Sequence, residues 1–189
     1  FDHRSHGRSH GKFITFGVQE RHDTAAVADE SIRSGFFPGD RFVTLGFSLG
    51  AAVVIQHASI DPRVAAVVAM APYVDFRQAV LSFRDCWAPW IGESWLLAGF
   101  ERATREANFA LDEASTLRAI AQIEAPMLLI EGGRDKHLPA HNHTQKLVPA
   151  KTRGRLDVIR VDDASHGGLC RRTWPELDNA IARFCASVG

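Results

Sequence analysis

Three residues of this sequence could together activate a hydroxyl group for attack on a carbonyl carbon. Ser48 lies in the segment GFSLG, Asp135 in EGGRD and His166 in DDASHGG. A serine hydroxyl is a weak nucleophile at neutral pH until a histidine accepts its proton, and a carboxylate is needed to orient the imidazole and stabilise its cationic form. These residue types predict acyl transfer through a covalent acyl-serine intermediate.

The segment around Ser48 has the G-x-S-x-G pattern, between a strand-like run, RFVTLGF, and a helix-like run, AAVVIQHAS. Gly46 and Gly50 remove side chains that would block the strained turn on which such a serine is exposed. The backbone N–H of Leu49 is predicted to stabilise the developing oxyanion, which elsewhere contributes roughly 3 kcal/mol per donor. The pattern alone is weak evidence, because it often occurs by chance.

Strand-like and helix-like segments alternate along the chain, which predicts an α/β fold with a mainly parallel sheet flanked by helices. Helices are predicted over residues 19–35, from about Pro139, and in WPELDNAIARFCAS. The predicted strands are RFVTLGF, DPRVAAVVAMAP, APMLLIEGG and LDVIRV. Residues that follow the carboxyl ends of parallel strands meet at one edge of the sheet. Ser48, Asp135 and His166 each follow such a strand, so we expect them to lie together.

Other acids compete with Asp135 for the histidine. Asp162 and Asp163 shortly precede His166, and Asp75 follows the strand before that of Asp135. Asp75 is the strongest substitute, because an acid at the neighbouring strand end could also reach the imidazole. The segment GGRDK could also be a simple turn, in which aspartate is common. Asp135 is preferred because it gives the order serine, acid, histidine at successive strand ends.

Together these motifs resemble the alpha/beta hydrolase superfamily over essentially all 189 residues, in a branch with broad esterase or thioesterase activities. GFSLG resembles the nucleophile elbow of that family, APMLLIEGGRD the strand and loop of its acid, and DDASHGG its histidine loop. The opening segment, FDHRSHGRSHGKFITFGVQERHD, resembles the pattern D-x-R-x-H-G-x-S-x-G followed by F-G-x-x-E-x-x-D. Ser5 departs from it, because many relatives have glycine there. The matching residues are Asp2, Arg4, His6, Gly7, Ser9, Gly11, Phe16, Gly17, Glu20 and Asp23.

The resemblance implies acyl transfer to Ser48 followed by hydrolysis, without a metal or an organic cofactor. It also implies that the sequence enters the fold after its first strands, including the neighbour of residues 42–47 and the loop that donates a second oxyanion N–H. These residues would then form an open apolar edge of the kind that promotes aggregation. We expect the chain by itself to be poorly soluble and nearly inactive.

A single domain is predicted over residues 1–189, with an insertion at residues 73–117 where the family places its lid. This insertion is helical and rich in aromatic residues, namely Phe76, Phe83, Trp87, Trp90, Trp95 and Phe100. Some of these side chains are predicted to line an apolar acyl pocket beside Ser48. The alternative is an accessory helical layer whose aromatic side chains pack inward, as is usual for helices.

Composition limits the possible partners. The formal net charge is +0, with 22 basic and 22 acidic residues, which disfavours nucleic acid or an anionic membrane surface as a partner. No apolar run approaches the roughly 18 residues that span a bilayer. Three cysteines, an odd number at unrelated spacings, suggest a reducing compartment and favour the cytoplasm. The expected partner is a small-molecule ester or thioester, and the oligomeric state is left open.

Two groups of histidines could be taken for metal ligands. His3, His6 and His10 lie in the opening segment, and His137, His141 and His143 follow Asp135. Neither group has a recognised zinc spacing. The first lies in a segment that the resemblance explains and the second begins a predicted helix, so no metal site is predicted.

Ser48, Asp135 and His166 are also compatible with two other functions. The same three residues could serve an acyltransferase or a serine peptidase, which differ only in the acceptor or in the bond cleaved. The chain could also be a non-catalytic binding protein with a hydrolase fold, although the presence of Ser48, Asp135 and His166 disfavours this alternative.

Overall fold

The computed structural model describes residues 1–188, and a sheet of four parallel strands forms its centre. The strands are β1 (Phe42–Phe47), β2 (Val64–Met70), β3 (Met127–Gly132) and β4 (Leu156–Val161). They lie side by side in the order β1-β2-β3-β4, and each neighbouring pair is parallel. These strands fall in the four predicted runs, and the predicted α/β fold is confirmed.

Helices cover both faces of this sheet. In chain order they are α1 (Glu20–Arg33), α2 (Leu49–Ala58), α3 (Phe76–Trp87), α4 (Glu93–Glu106), α5 (Thr116–Ile120), α6 (Thr144–Leu147), α7 (His166–Arg171) and α8 (Pro175–Ala186). Side chains alternate along β2: Val67 and Ala69 pack in the core with α2 and α5, whereas Val68 and Met70 pack in the core with α7 and α8. Burial on both faces explains why this strand is a continuous apolar run.

Two segments differ from the sequence-based predictions. The helix expected from about Pro139 is divided into two short 3₁₀ turns on either side of α6, which is only four residues long. His166, expected in a loop, is the first residue of α7. Ser165 caps that helix by accepting a hydrogen bond from the backbone N–H of Gly168. The sequence does not indicate α7, because Gly167 and Gly168 are poor helix formers.

The segment between β2 and β3 is helical, as predicted, and contains α3, α4 and α5. Asp75 begins α3 by accepting a hydrogen bond from the backbone N–H of Gln78, which is the usual role of an N-cap carboxylate. An apolar cluster then joins α3 to the opening segment of the chain, with Phe76 and Val80 packed together with Phe16. The insertion is therefore held against residues that precede β1.

β1 forms one edge of the described sheet, and the apolar side chain of Leu45 on it is 54% exposed. None of the helices within residues 1–188 combines the length and the apolar character needed to cross a bilayer.

Candidate active site

The turn between β1 and α2 presents Ser48. Its backbone has φ 54° and ψ −116°, with a positive φ that residues other than glycine rarely adopt. The backbone N–H of Ser48 donates to the carbonyl of Met70 on β2, which holds the turn against the sheet. A Cβ atom on Gly46 would lie 2.2 Å from the carbonyl oxygen of Gly50, so the turn requires glycine at position 46.

His166 lies between the other two predicted residues. Its Nε2 atom is 3.0 Å from the hydroxyl oxygen of Ser48, and its Nδ1 atom is 2.7 Å from a carboxylate oxygen of Asp135. The side chain of Asp135 is 1% exposed and that of His166 is 13% exposed. The structure thus joins all three predicted residues in one continuous hydrogen-bonded series, although 118 positions separate Ser48 from His166.

Backbone amides orient the carboxylate of Asp135. Its second oxygen accepts hydrogen bonds from the N–H groups of His137, at 2.9 Å, and Leu138, at 2.8 Å. One oxygen therefore remains directed at His166, whose Nδ1 must carry a proton to donate to it. This assignment leaves Nε2 free to accept the proton of Ser48.

The competing acids have other partners. Asp75 caps α3, as described above, and Asp162 pairs with Arg160 at 2.9 Å. Asp163 forms an ion pair with Arg134. Among the acids considered from the sequence, the structure brings Asp135 to His166.

Leu49 is the first residue of α2, and the first amides of an α-helix have no acceptor within that helix. Leu49 also lies with Ser48 in the lining of one cavity. A carbonyl oxygen attacked by Ser48 could therefore accept a hydrogen bond from this amide, at the positive end of the helix dipole.

The cavity beside Ser48 has a volume of about 470 Å³ and is mostly apolar. Its aromatic lining comprises Phe16, Tyr73, Phe76, Phe83, Trp87 and Phe100. Of the three tryptophans in the insertion, only Trp87 lies in this lining, and it is still 68% exposed; Trp90 and Trp95 are each 80% exposed. The aromatic residues of the insertion that line the cavity therefore range from buried, as Phe76 is, to largely exposed, as Trp87 is.

Sequence reasoning missed the contributions of Phe16 and Tyr73 to this site. Tyr73 is 4% exposed, its hydroxyl donates to the carbonyl of Phe16 at 3.0 Å, and burial raises the pKa of its hydroxyl far above the usual value. Phe16 belongs to the F-G pair of the opening segment, and its positive φ of 55° does not follow from periodicity. The sequence signal that could have identified Tyr73 as a site residue is its position directly after a predicted strand.

One of the histidines considered as metal ligands, His143, has hydrogen-bond partners within the protein. The described part of the chain, residues 1–188, contains no group of three or more His, Cys, Asp or Glu side chains arranged to hold a metal ion. His143 is fully buried, with Nδ1 accepting from the backbone N–H of Val74 and Nε2 paired with the hydroxyl of Ser82. Burial lowers the pKa of His143 to about 4. It therefore stays neutral near pH 7.

Several solved structures of other proteins are similar to this chain over most of its length. An esterase from Pyrococcus furiosus is 22% identical, with a TM-score of 0.77 over 100% of this chain and 70% of its own. A dipeptidyl peptidase 4 from Porphyromonas gingivalis is 21% identical, with a TM-score of 0.68 over 94% of this chain and 24% of its own. A monoacylglycerol lipase from Paleococcus ferrophilus is 19% identical, with a TM-score of 0.64 over 97% and 80%.

At these identities the solved structures establish the fold alone, and no curated protein matches the sequence. The sequence model of the alpha/beta hydrolase family, in contrast, matches residues 1–186 of this chain. This match confirms the resemblance drawn from the motifs and the prediction of a hydrolase. Because it extends over almost the whole sequence, the chain belongs to the alpha/beta hydrolase family.

Proposed function

We propose that the protein is a serine hydrolase that cleaves carboxylic ester or thioester bonds. The observation that carries this proposal is the continuous hydrogen-bonded series from Ser48 through His166 to Asp135. Each member has the orientation that its role requires, and the buried carboxylate can stabilise an imidazolium as it forms.

In the proposed mechanism, Nε2 of His166 accepts the proton of Ser48 while the serine oxygen attacks the carbonyl carbon. The N–H of Leu49 stabilises the negative charge that develops on the carbonyl oxygen. His166 then donates its proton to the leaving alkoxide or thiolate, which departs and leaves an acyl-serine. Water, deprotonated by the same nitrogen, releases the acid and restores the serine.

The apolar cavity supports a substrate with a hydrocarbon acyl group. Its lining is dominated by aromatic and aliphatic side chains from α3 and α4, and it includes Ser48. We therefore propose that residues 73–117 act as a lid that covers the acyl group within a single hydrolase domain. Structures of the same fold include proteins named esterase and monoacylglycerol lipase, which is consistent with this substrate class. The location of the protein is also part of the proposal. Cys86, Cys170 and Cys185 form no disulfide bond, which is typical of a reducing compartment, and we therefore propose a cytoplasmic location.

Labelling with a fluorophosphonate tests the nucleophile directly. We expect the full-length protein to be labelled at Ser48, and Ser48→Ala to abolish both labelling and turnover of p-nitrophenyl esters and acyl thioesters. Product analysis with water, an alcohol and an amine in competition separates hydrolysis from acyl transfer, and a peptide substrate tests peptidase activity. A wild-type protein that is folded but neither labelled nor active would favour the non-catalytic alternative.

A further inference from the structure

Phe16 lies beside the candidate active site in an unfavourable backbone conformation. Its φ of 55° places a bulky residue in the left-handed region, and its side chain lines the cavity that contains Ser48 and Leu49. A conformation of this kind persists only where the surrounding structure imposes it, and such residues cluster at ligand-binding sites. The proposed mechanism assigns no role to Phe16.

Two buried side chains hold the carbonyl group of Phe16. Nε2 of Gln56 and the hydroxyl of Tyr73 each donate to this oxygen at 3.0 Å, from α2 and from the segment after β2. Gln56 is 1% exposed and Tyr73 is 4% exposed. Both donors are thus withdrawn from water, and losing either bond would leave a buried polar group unpaired.

A buried carboxylate fixes the backbone on either side of Phe16. Glu20 is 0% exposed and accepts from the backbone N–H and hydroxyl of Thr15, each at 2.7 Å, and from the N–H of Gly17 at 2.8 Å. Gly17 has φ 103°, and a Cβ atom there would lie 2.0 Å from Nε2 of Gln56. The residues before and after Phe16 therefore have little freedom to move.

The ring of Phe16 packs directly on the insertion. It stacks against Phe76 with ring centres 3.5 Å apart, and Phe76 in turn meets the edge of Phe100 at 5.3 Å. The three rings belong to the opening segment, α3 and α4, and all three line the cavity. The three rings form one wall of the cavity, and the buried hydrogen bonds around Phe16 fix the backbone from which its ring projects.

We propose that Phe16 is a specificity-determining residue whose fixed ring limits the size of the acyl group accepted beside Ser48. This inference rests on the proposed function for its substrate class. Glu20 and Tyr73 are positioning residues, because they hold Phe16 and do not themselves perform the chemistry. Removing the ring enlarges the cavity, and removing a positioning contact lets the ring move.

The test is the acyl-chain preference of the full-length protein on p-nitrophenyl acetate, butyrate, octanoate and laurate. For Phe16→Ala we expect the ratio of kcat/KM for laurate to that for acetate to rise at least tenfold. Phe16→Leu keeps an apolar side chain and should give an intermediate ratio if the alanine variant fails to fold. Tyr73→Phe keeps the ring of Phe16 but removes one hydrogen bond to its carbonyl, and we expect a shift in the same direction of about threefold, mainly through KM.

Phe13→Ala is the matched control, because Phe13 belongs to the same segment and apolar cluster but does not line this cavity. We expect its chain-length ratio to equal that of the wild type. An unchanged ratio in folded Phe16→Ala or Phe16→Leu, or an equal shift in Phe13→Ala, would overturn the proposal.

A binding measurement separates this inference from the proposed function. Trp87 lines the cavity, so its fluorescence should respond when straight-chain carboxylates of increasing length bind. If wild-type protein binds these acids without ester turnover or Ser48 labelling, the proposed function fails while the role of Phe16 is still measurable. The proposal then requires Phe16→Ala to shift the preferred acid toward longer chains, and an unshifted preference contradicts it.

Discussion

The imidazole of His137 lies almost parallel to the indole of Trp87, with ring centres 5.5 Å apart and an angle of 7° between the planes. The ring of Phe83 stacks on the same imidazole at 5.5 Å, and His166 meets its edge at 5.6 Å. His137 also donates its backbone N–H to Asp135. One residue therefore joins α3, which lines the cavity, to the loop of the proposed acid.

His137→Ala is expected to lower kcat/KM for esters by about tenfold. Each aromatic stack is worth about 0.5–1.5 kcal/mol, and their loss frees the end of α3 and the loop beside His166. His137→Phe preserves a ring at this position and should keep most of the activity, because the backbone N–H to Asp135 is unchanged. Steady-state kinetics of the two variants measures the difference.

Lys136→Ala is the control for His137, because Lys136 is an exposed neighbour in the same loop. Its activity should equal that of the wild type. Equal losses of kcat/KM in His137→Phe and His137→Ala would show that activity depends on the imidazole nitrogens and not on the stacked ring.

Gly46→Ala should destabilise the protein strongly, whereas Gly50→Ala should not. A Cβ atom on Gly46 meets the carbonyl oxygen of Gly50 at 2.2 Å, a contact with backbone that side-chain rotation cannot relieve, whereas a Cβ on Gly50 has no atom within 4 Å. Strain of about 3 kcal/mol would lower the melting temperature by roughly 6–12 °C in a chain of this size. Thermal unfolding followed by circular dichroism compares the two, and equal melting temperatures would refute the steric requirement.

Asp135→Asn should reduce kcat by about 10³- to 10⁴-fold, because an amide that donates to Nδ1 of His166 favours the wrong tautomer of the imidazole. Asp75→Asn is the matched comparison. Asparagine caps helices about as well as aspartate, so α3 should still begin at Phe76 and activity should fall by less than about threefold. A larger loss in Asp75→Asn than in Asp135→Asn would reverse the assignment of the acid.

Local sequence patterns could predict the parts of this site that depend on strand ends and on the turn at Ser48. β2 is buried on both faces and therefore reads as an uninterrupted apolar run, and β1 passes into α2 through a turn in which Gly46 is sterically required. Parallel strands then bring Ser48, Asp135 and His166 to one edge, whatever their separation in sequence.

The remainder of the site depends on contacts between distant segments, which leave no periodic signal. The positive φ of Phe16 is imposed by Glu20, Gln56 and Tyr73, and these residues come from three separate parts of the chain. Likewise, the sequence indicated that the insertion was aromatic but not that Trp87 would contribute to the lining of the cavity while Trp90 and Trp95 would not. Tertiary packing decides both features.

The burial of His143 predicts a loss of stability in mild acid. Its pKa is about 4 in the folded protein and 6.5 in an unfolded chain, because burial disfavours the imidazolium. Above pH 6.5 the residue is neutral in both states, so its contribution to the free energy of unfolding is fully present. As the pH falls from 6.5 to about 4, the unfolded chain takes up a proton that the folded protein does not, and up to about 3 kcal/mol is lost.

Urea unfolding at intervals between pH 7 and pH 4.5 measures this dependence. His143→Gln does not titrate and keeps hydrogen-bonding atoms that can face Val74 and Ser82, so we expect its free energy of unfolding to fall less steeply over this range. Some dependence will remain, because burial also lowers the pKa of His57. His141→Gln removes an exposed neighbouring imidazole and should retain the wild-type slope. If His143→Gln and the wild type have the same slope, His143 does not remain neutral in the folded protein.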